Sequence, residues 1–325
     1  MKLDVIKYRH IYLWASTLAI LVGLAAMLFS WQQTGLPLKP AIDFTGGNRL
    51  TVGLVCESQG NCGPPIDISV VRRVMTEQGF ADSVIQLADQ EGQKGRGVSV
   101  QTGALDELKS AQLRASLEKA LSQYGKIDPK RSQTTKVGPA VGKELLNNGL
   151  LALLLSFAGI AIYLAVRFQP DYAFFAIVAL LHDVLVTVGV FAILGLTIGV
   201  EVDSLFIVAM LTIIGFSVND TVVIYDRIRE NLKLIGDKYS FNELVNISVN
   251  QTLARSINTT LTALLSLVAI FLFGGATLKY FALALIIGFA SGAYSSIFNA
   301  SILLAWWRNR RNKPTDKALL EADAQ

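Results

Sequence analysis

Cysteine and histidine are scarce in this 325-residue chain, which contains two of each. Two cysteines are too few for a disulfide scaffold or a four-cysteine metal site, and two histidines leave little material for a zinc enzyme. Charge is scarce too: 17% of the residues are charged, against about 25% in a typical soluble domain. With 52% apolar residues and a mean hydropathy of +0.46, the composition excludes intrinsic disorder and argues against a water-soluble protein.

Long apolar runs are what the sequence has instead. A bilayer core about 30 Å thick requires roughly 20 apolar residues in a helix. The six runs of this kind are 11–29, 148–166, 173–194, 204–225, 256–273 and 280–305. We expect the first run to be retained and not cleaved as a signal peptide, because Trp31 follows it and no small-residue cleavage site does. The sequence therefore predicts an α-helical membrane protein with six transmembrane helices.

Lysine and arginine are distributed unevenly around these runs. If the N-terminus is cytoplasmic, the inside segments carry fourteen of these residues and the two short outside loops carry only Lys279. Such an excess marks the cytoplasmic side, so both termini are predicted to be cytoplasmic. The predicted organisation is 1–30 (N-terminus and first helix), 31–147 (extracytoplasmic domain), 148–307 (helices two to six, with a cytoplasmic loop at 226–254) and 308–325 (basic cytoplasmic tail).

The domain between the first and second helices alternates strand and helix signals. Strand patterns occupy 48–55, 83–88, 96–101 and 131–137, and helical patterns occupy 67–78 and 104–123. The order β-α-β-β-α-β predicts an α+β ferredoxin-like domain, a fold that by itself implies no function. Its charge over 30–147 is only +2, which is no footprint for nucleic acid.

The two cysteines, Cys56 and Cys62, fall in a Gly- and Asn-containing loop of this domain. On the oxidising side of a membrane they could form a local disulfide, or they could remain two free thiols. Neither reading gives the loop a chemical role.

A few ionisable residues interrupt the apolar runs, and such residues are functional candidates by default because burying a charge in a bilayer is costly. Asp183 lies near the middle of the third run and Asp220 lies within the fourth. Arg255 opens the fifth run, and the residues that follow it on one helical face are Asn258, Thr259, Thr262 and Ser266. If the fourth and fifth runs are antiparallel neighbours, Asp220 and this polar stripe have similar depth.

A carboxylate beside a guanidinium stays ionised, whereas one moved into apolar surroundings tends to bind a proton. We therefore predict Asp220 and Arg255 as a proton-coupling pair. The supporting polar face is predicted to contain Asn219, Asn258, Thr259, Thr262 and Asp183. No metal or cofactor is expected.

Structural roles for the same residues remain open. Asp220 and Arg255 could form a static pair that fixes helix register, or Arg255 could extend to the membrane interface. Asp183 could simply be hydrogen-bonded beside His182. The small residues of the sixth run, Gly288 and Gly292 among them, are typical of close helix packing.

Five stretches, in order, resemble one family. They are DFTGG at 43–47, VGPAVGKEL at 137–145, HDV at 182–184, GFSVNDTVVIYDRIREN at 215–231 and ARSINTTLTALL at 254–265. Together they resemble SecF of the SecD/SecF family, in the resistance–nodulation–division superfamily. The resemblance implies one pseudosymmetric half of a membrane complex, with SecD as the other half. It also matches Asp220 and Arg255 to the family's proton-responsive pair.

The function implied by the resemblance is use of the proton-motive force to assist late protein translocation with SecYEG. The implied partners are SecD, SecYEG, the unfolded secretory polypeptide and membrane lipid, with YajC as a further option and no nucleic acid. The implied location is the cytoplasmic (inner) membrane of a prokaryote. An enzyme is not expected: the paired aspartates lack a GxGD-like setting, and HExxH and GxSxG are absent. Half of a small-molecule or lipid exporter, or a scaffold subunit, stays as an alternative.

Overall fold

The computed structural model describes residues 3–55, 64–81, 83–90 and 93–310, so Cys56 and Cys62 lie outside the described residues. The elements are α1 (Arg9–Thr34), α2 (Ile42–Thr45), β1 (Gly47–Leu54), α3 (Ile68–Glu77), β2 (Val84–Gln90), β3 (Gln93–Thr102), α4 (Glu107–Leu121), β4 (Ile127–Val137), α5 (Pro139–Arg167), α6 (Pro170–Ile198), α7 (Ser204–Ile235), α8 (Phe241–Phe273), α9 (Ala276–Tyr294) and α10 (Ser301–Arg310). A π-helical segment, Ser295–Ala300, joins α9 to α10.

Among the described residues, six helical stretches are long and apolar enough to cross a membrane: α1, α5, α6, α7, α8 and the continuous stretch Leu278–Arg310. This confirms the predicted six-helix membrane protein. The helix ends follow local chemistry. Pro139 and Pro170 occupy first-turn positions where no hydrogen bond is lost, and Ser240 forms a capping box with Glu243. Helix α6 ends at Gly199, whose φ of 71° is the left-handed conformation that glycine adopts freely.

The four strands form one antiparallel sheet in the order β2-β3-β1-β4, with α3 and α4 between them in sequence. This is the order of the ferredoxin-like fold, as predicted. One face of the sheet is apolar and packs on the two helices, with Leu50 and Val52 of β1 against Leu113 and Leu117 of α4. The opposite face presents the polar residues Arg49, Thr51, Ser99 and Gln101, which line a cavity together with Glu201 and Asp203.

The membrane helices pack closely where glycines meet. A Cβ at Gly189 of α6 would lie 2.6 Å from the Cα of Gly23 in α1. A Cβ at Gly288 of α9 would collide with Ile213 of α7, and one at Gly292 would lie 3.3 Å from Ser217. The predicted small-residue packing face is therefore confirmed.

Two parts of the bundle differ from the pattern in the sequence. The segment 226–254, predicted to be a loop, is mostly helical: α7 continues to Ile235 and α8 begins at Phe241. Both helices extend past the apolar runs because one face of each remains buried, through Ile228 on α7 and through Leu244, Val245 and Val249 on α8. The sixth run is not a uniform α-helix, since the π-helical segment lies within it.

The sheet domain is attached to the membrane helices through the segment before β1. Ala41 donates its N–H to the carbonyl of Val202 at 2.8 Å, and Val202 donates to the carbonyl of Lys39 at 2.9 Å. Asp43 accepts hydrogen bonds from the N–H and hydroxyl of Ser204, the first residue of α7, at 3.2 and 2.8 Å. The domain is thus tied directly to the start of α7.

Candidate functional site

Asp220 lies on the buried side of α7, with 3% of its surface exposed. Its Oδ2 atom has no hydrogen-bond partner among the described residues. A buried carboxylate oxygen without a partner is costly, and carboxylates in this condition are rare outside functional sites. Asn219, its neighbour in sequence, is exposed on the helix surface.

Hydrogen bonds between α7 and α8 set their register. Arg227 donates its Nε–H to Oε1 of Gln251 at 2.6 Å, and Asn231 donates to the hydroxyl of Ser248 at 2.8 Å. The helices are antiparallel neighbours. Asp220 lies seven residues before Arg227 on α7, and Asn258 lies seven residues after Gln251 on α8. Because the two helices are antiparallel, Asp220 and Asn258 lie at the same level along the bundle.

The polar stripe of α8 lies on the outer surface of the chain. Its members, Arg255, Asn258, Thr259, Thr262 and Ser266, are all exposed. The hydroxyls of Thr259 and Thr262 donate to carbonyls one turn earlier in their own helix, at 2.8 and 2.9 Å. These bonds satisfy the two hydroxyls within α8 itself, so the exposed stripe makes no hydrogen bond to another helix through them. At membrane depth such a surface is unfavourable toward lipid.

Arg255 is near enough for its charge to interact with that of Asp220. No nitrogen–oxygen approach within 4.0 Å joins the two side chains in the part of the chain that the structure describes. Behind the stripe, the hydroxyls of Ser256 and Thr260 are buried without hydrogen-bond partners among the described residues. The structure brings Asp220 and Arg255 to one region of the bundle and leaves them apart.

Asp183 occupies a different place, in the interior of the bundle, with no exposed surface. Its Oδ2 accepts hydrogen bonds from Ser217 at 2.6 Å and Ser295 at 2.7 Å. Its Oδ1 accepts from Ser291 at 2.8 Å and lies 2.9 Å from Nδ1 of His182. This four-partner cage joins α6, α7, α9 and the π-helical segment around one carboxyl group, and it holds Asp183 away from the exposed stripe.

The π-helical segment adds polar contacts that the sequence did not indicate. The hydroxyl of Ser296 lies 2.8 Å from that of Thr221 on α7. Asn299 accepts a hydrogen bond at 2.9 Å from Ser16 on α1. A π-bulge rotates side chains relative to a regular helix and often occurs at functional sites. The only signal in the sequence was the run of serines, which also fits simple close packing.

A second buried polar cluster lies at the end of the bundle that is farther from the sheet domain. Arg308 of α10 donates its Nε–H to Asp171 at 2.7 Å, and its guanidinium lies over the ring of Tyr172, 4.6 Å from the centroid. Arg167 pairs nearby with Asp226 at 2.9 Å on the exposed surface. These contacts tie α6, α7 and α10 together at the end away from the sheet.

The family is decided by comparison of the chain with known proteins. A family model described as protein export membrane protein SecD/SecF, C-terminal, matches residues 116–310. The chain belongs to the SecD/SecF family. The SecF protein translocase subunit of Synechocystis sp. is 52% identical over 313 residues, which are 96% of each chain. The SecF subunit of Thermobaculum terrenum is 41% identical over 320 residues, 95% of each.

A solved structure of the SecD/SecF family shares the fold. The crystal structure of SecDF from Thermus thermophilus, described as a translocon-associated membrane protein, superposes with a TM-score of 0.76 at 31% identity. The match covers 95% of this chain but only 39% of that SecDF chain. The present chain therefore corresponds to a part of the longer SecDF protein.

Proposed function

We propose that this chain is the SecF-like half of a SecDF-type complex that uses the proton-motive force to assist late protein translocation with SecYEG. The complex would lie in the cytoplasmic membrane of a prokaryote, with both termini inside and the sheet domain outside. The observation that supports this most is Asp220, a buried carboxylate with an unpartnered oxygen, level with an arginine-bearing polar stripe on a membrane helix.

The exposure of the stripe supports a membrane partner. Arg255 and Asn258 would face lipid if the chain stood alone, and exposing a charge to lipid costs up to about 2.5–3.5 kcal/mol at the bilayer centre and less toward the interface. A second membrane half that covers this face removes the cost. We assign this covering half to SecD, because the SecDF relative is more than twice as long as the present chain and its remaining part is available to cover the stripe.

Proton coupling would then proceed through Asp220. Protonation removes the charge that attracts Arg255, α7 and α8 shift against each other, and the sheet domain moves because Asp43 and Val202 link it to the start of α7. Loss of the proton to the cytoplasm restores the attraction. One charge crossing 100 mV releases about 2.3 kcal/mol, which biases a two-state equilibrium about fifty-fold.

Asp220→Asn in membranes that also contain SecD and SecYEG tests the proposal. Export of a secreted protein is followed with the proton-motive force present and then collapsed. We expect normal accumulation of the variant and loss of the force-dependent component. Asp237→Asn, in the turn between α7 and α8, removes one carboxylate without touching the site and should retain that component. Force-dependent export that survives Asp220→Asn would refute the role of Asp220 and favour a scaffold.

A cysteine at Thr262 tests the partner. Thr262→Cys should form a cross-link to SecD with a short thiol reagent, whereas Leu154→Cys, on the apolar and exposed surface of α5, should not. Equal cross-linking from both positions, or none from Thr262→Cys in assembled complex, would contradict coverage of the stripe by SecD.

A further inference from the structure

A cleft of about 560 Å³ lies where the sheet domain meets the membrane helices. Its apolar lining includes Ile42 of α2, Phe80 after α3, and Val84 of β2. Its polar lining includes Gln101 of β3 and Glu201 of the loop between α6 and α7. Neither the cage around Asp183 nor the stripe on α8 contributes to it.

Three buried polar atoms that line this cleft have no hydrogen-bond partner among the described residues: the hydroxyl of Ser83, Oε1 of Gln101 and Oε2 of Glu201. Ser83 and Gln101 are 8% and 7% exposed, and the Glu201 side chain is 7% exposed. The Gln101 atom is an acceptor only, and so is Oε2 when Glu201 is ionised. The Gln101 side chain and the Lys39 ammonium, 3.9 Å from Oε1, both face the Glu201 carboxylate, but Oε2 of Glu201 and Oε1 of Gln101 stay without a partner among the described residues. Since buried polar groups are normally satisfied, the cleft is suited to a ligand that brings N–H donors to these two oxygens.

The cleft continues along the free edge of the sheet. A second cavity, of about 320 Å³, shares Ser83 and Val84 with the first and extends to Gln86. Across it lie Ile198 and Gly199 at the end of α6. Strand β2 is an edge strand that pairs only with β3 in the described sheet, and consecutive residues of it line the cavity. The two cavities adjoin at Ser83 and Val84, beside the strand edge that β3 leaves free, and together they are called the groove below.

We propose that this groove binds an extended segment of the translocating polypeptide, which lies along the edge of β2. The segment donates backbone N–H groups to Gln101 and Glu201 and rests its apolar side chains on Ile42 and Phe80. Recognition through the main chain is largely independent of sequence, as a subunit that handles many secreted proteins requires. This inference rests on the proposed function and identifies the surface that meets the client.

The position of the groove also connects the client to the membrane site. Glu201 is adjacent to Val202, which pairs with the segment 39–41, and Ser204 begins α7, the helix that carries Asp220. A chain held in the groove therefore touches the same loop through which α7 would move the sheet domain. Movement of α7 would alter the width of the groove.

A photo-cross-linking residue at Val84 tests this inference in membranes that contain the full complex. The client is a secreted protein stalled in translocation by a stably folded cytoplasmic end. We expect an adduct with the stalled chain that is at least about five-fold stronger than the adduct from Thr134, on the exposed opposite edge of the sheet. No adduct from Val84 would mean that the groove holds solvent alone, and equal adducts from both edges would mean non-specific proximity; either result overturns the proposal.

A second measurement avoids any disturbance that the probe at Val84 causes. With the probe at Gln86, Gln101→Leu should reduce the adduct several-fold, while Gln133→Leu on β4 should not. An adduct unaffected by Gln101→Leu would contradict the hydrogen-bonding role of the cleft. The two proposals fail in different ways. If no adduct forms but export still depends on Asp220, the groove proposal is wrong and the proposed function stands. If export does not depend on Asp220, the proposed function is wrong whatever the adducts show.

Discussion

The four hydrogen-bonding contacts of Asp183 predict how much the bundle is destabilised when this residue is replaced. Asp183→Ala removes the common acceptor of Ser217, Ser291, Ser295 and His182 in the interior of the bundle. Hydrogen bonds in membrane proteins average about 0.6 kcal/mol, and typical net values in proteins reach about 1.5 kcal/mol. Four such bonds give a loss of roughly 2 to 6 kcal/mol, since the variant leaves their donors buried without the common acceptor.

Related substitutions should give a graded series. The Ser295 hydroxyl also donates to the carbonyl of Gly292 at 3.2 Å and keeps this bond when Asp183 is removed. We therefore expect the loss for Asp183→Ala to lie below the upper limit of about 6 kcal/mol. Asp183→Asn keeps one acceptor oxygen and should lose less, because the serine hydroxyls can rotate to accept from its amide. Ser291→Ala removes a single bond and should cost about 1 kcal/mol.

Reversible unfolding of the purified protein in mixed micelles, with denaturing detergent as the titrant, measures these differences. The expected order of destabilisation is Asp183→Ala, then Asp183→Asn, then Ser291→Ala. If Asp183→Ala unfolded within about 0.5 kcal/mol of the parent protein, the cage would not hold the four elements together and the reasoning would be wrong.

Further predictions concern packing and pH. Gly288→Ala should destabilise the bundle by about 1 to 3 kcal/mol, because its Cβ meets Ile213, whereas Gly215→Ala, where the added methyl meets open space, should be nearly neutral in the same unfolding titration. Burial raises the pKa of Glu201, so the folded state favours the protonated carboxyl and stability falls as pH rises through that pKa. Glu201→Gln should therefore raise the melting temperature at neutral pH, with a difference that disappears in acid; a constant difference at all pH values would contradict the assignment to this carboxyl.

The sequence predicted elements whose signals are local. Apolar runs of membrane length and alternating strands need no tertiary information, and the positions of the four strands and two helices of the sheet domain followed from them. The equal depth of Asp220 and the polar stripe also followed, because a short connection makes α7 and α8 antiparallel neighbours.

Features set by packing could not be predicted in the same way. The sequence pattern predicts Ser291 and Ser295 only as small residues at a helix-packing face, because it does not indicate that their hydroxyls converge on Asp183. No local pattern in the sequence marks the change to π-helical geometry at Ser295 either. The groove beside β2 depends on how the sheet domain sits on the loop that holds Glu201, which no periodicity encodes.

Proton movement through Asp220 can be measured in vesicles that contain the purified complex with SecD. A proton gradient and an inside-negative potential are imposed, and a trapped pH-sensitive dye reports proton entry. The wild-type complex should accelerate entry and Asp220→Asn should abolish the acceleration, while Asp237→Asn retains it. Proton entry that is the same with and without the Asp220 carboxylate would contradict proton coupling through this residue.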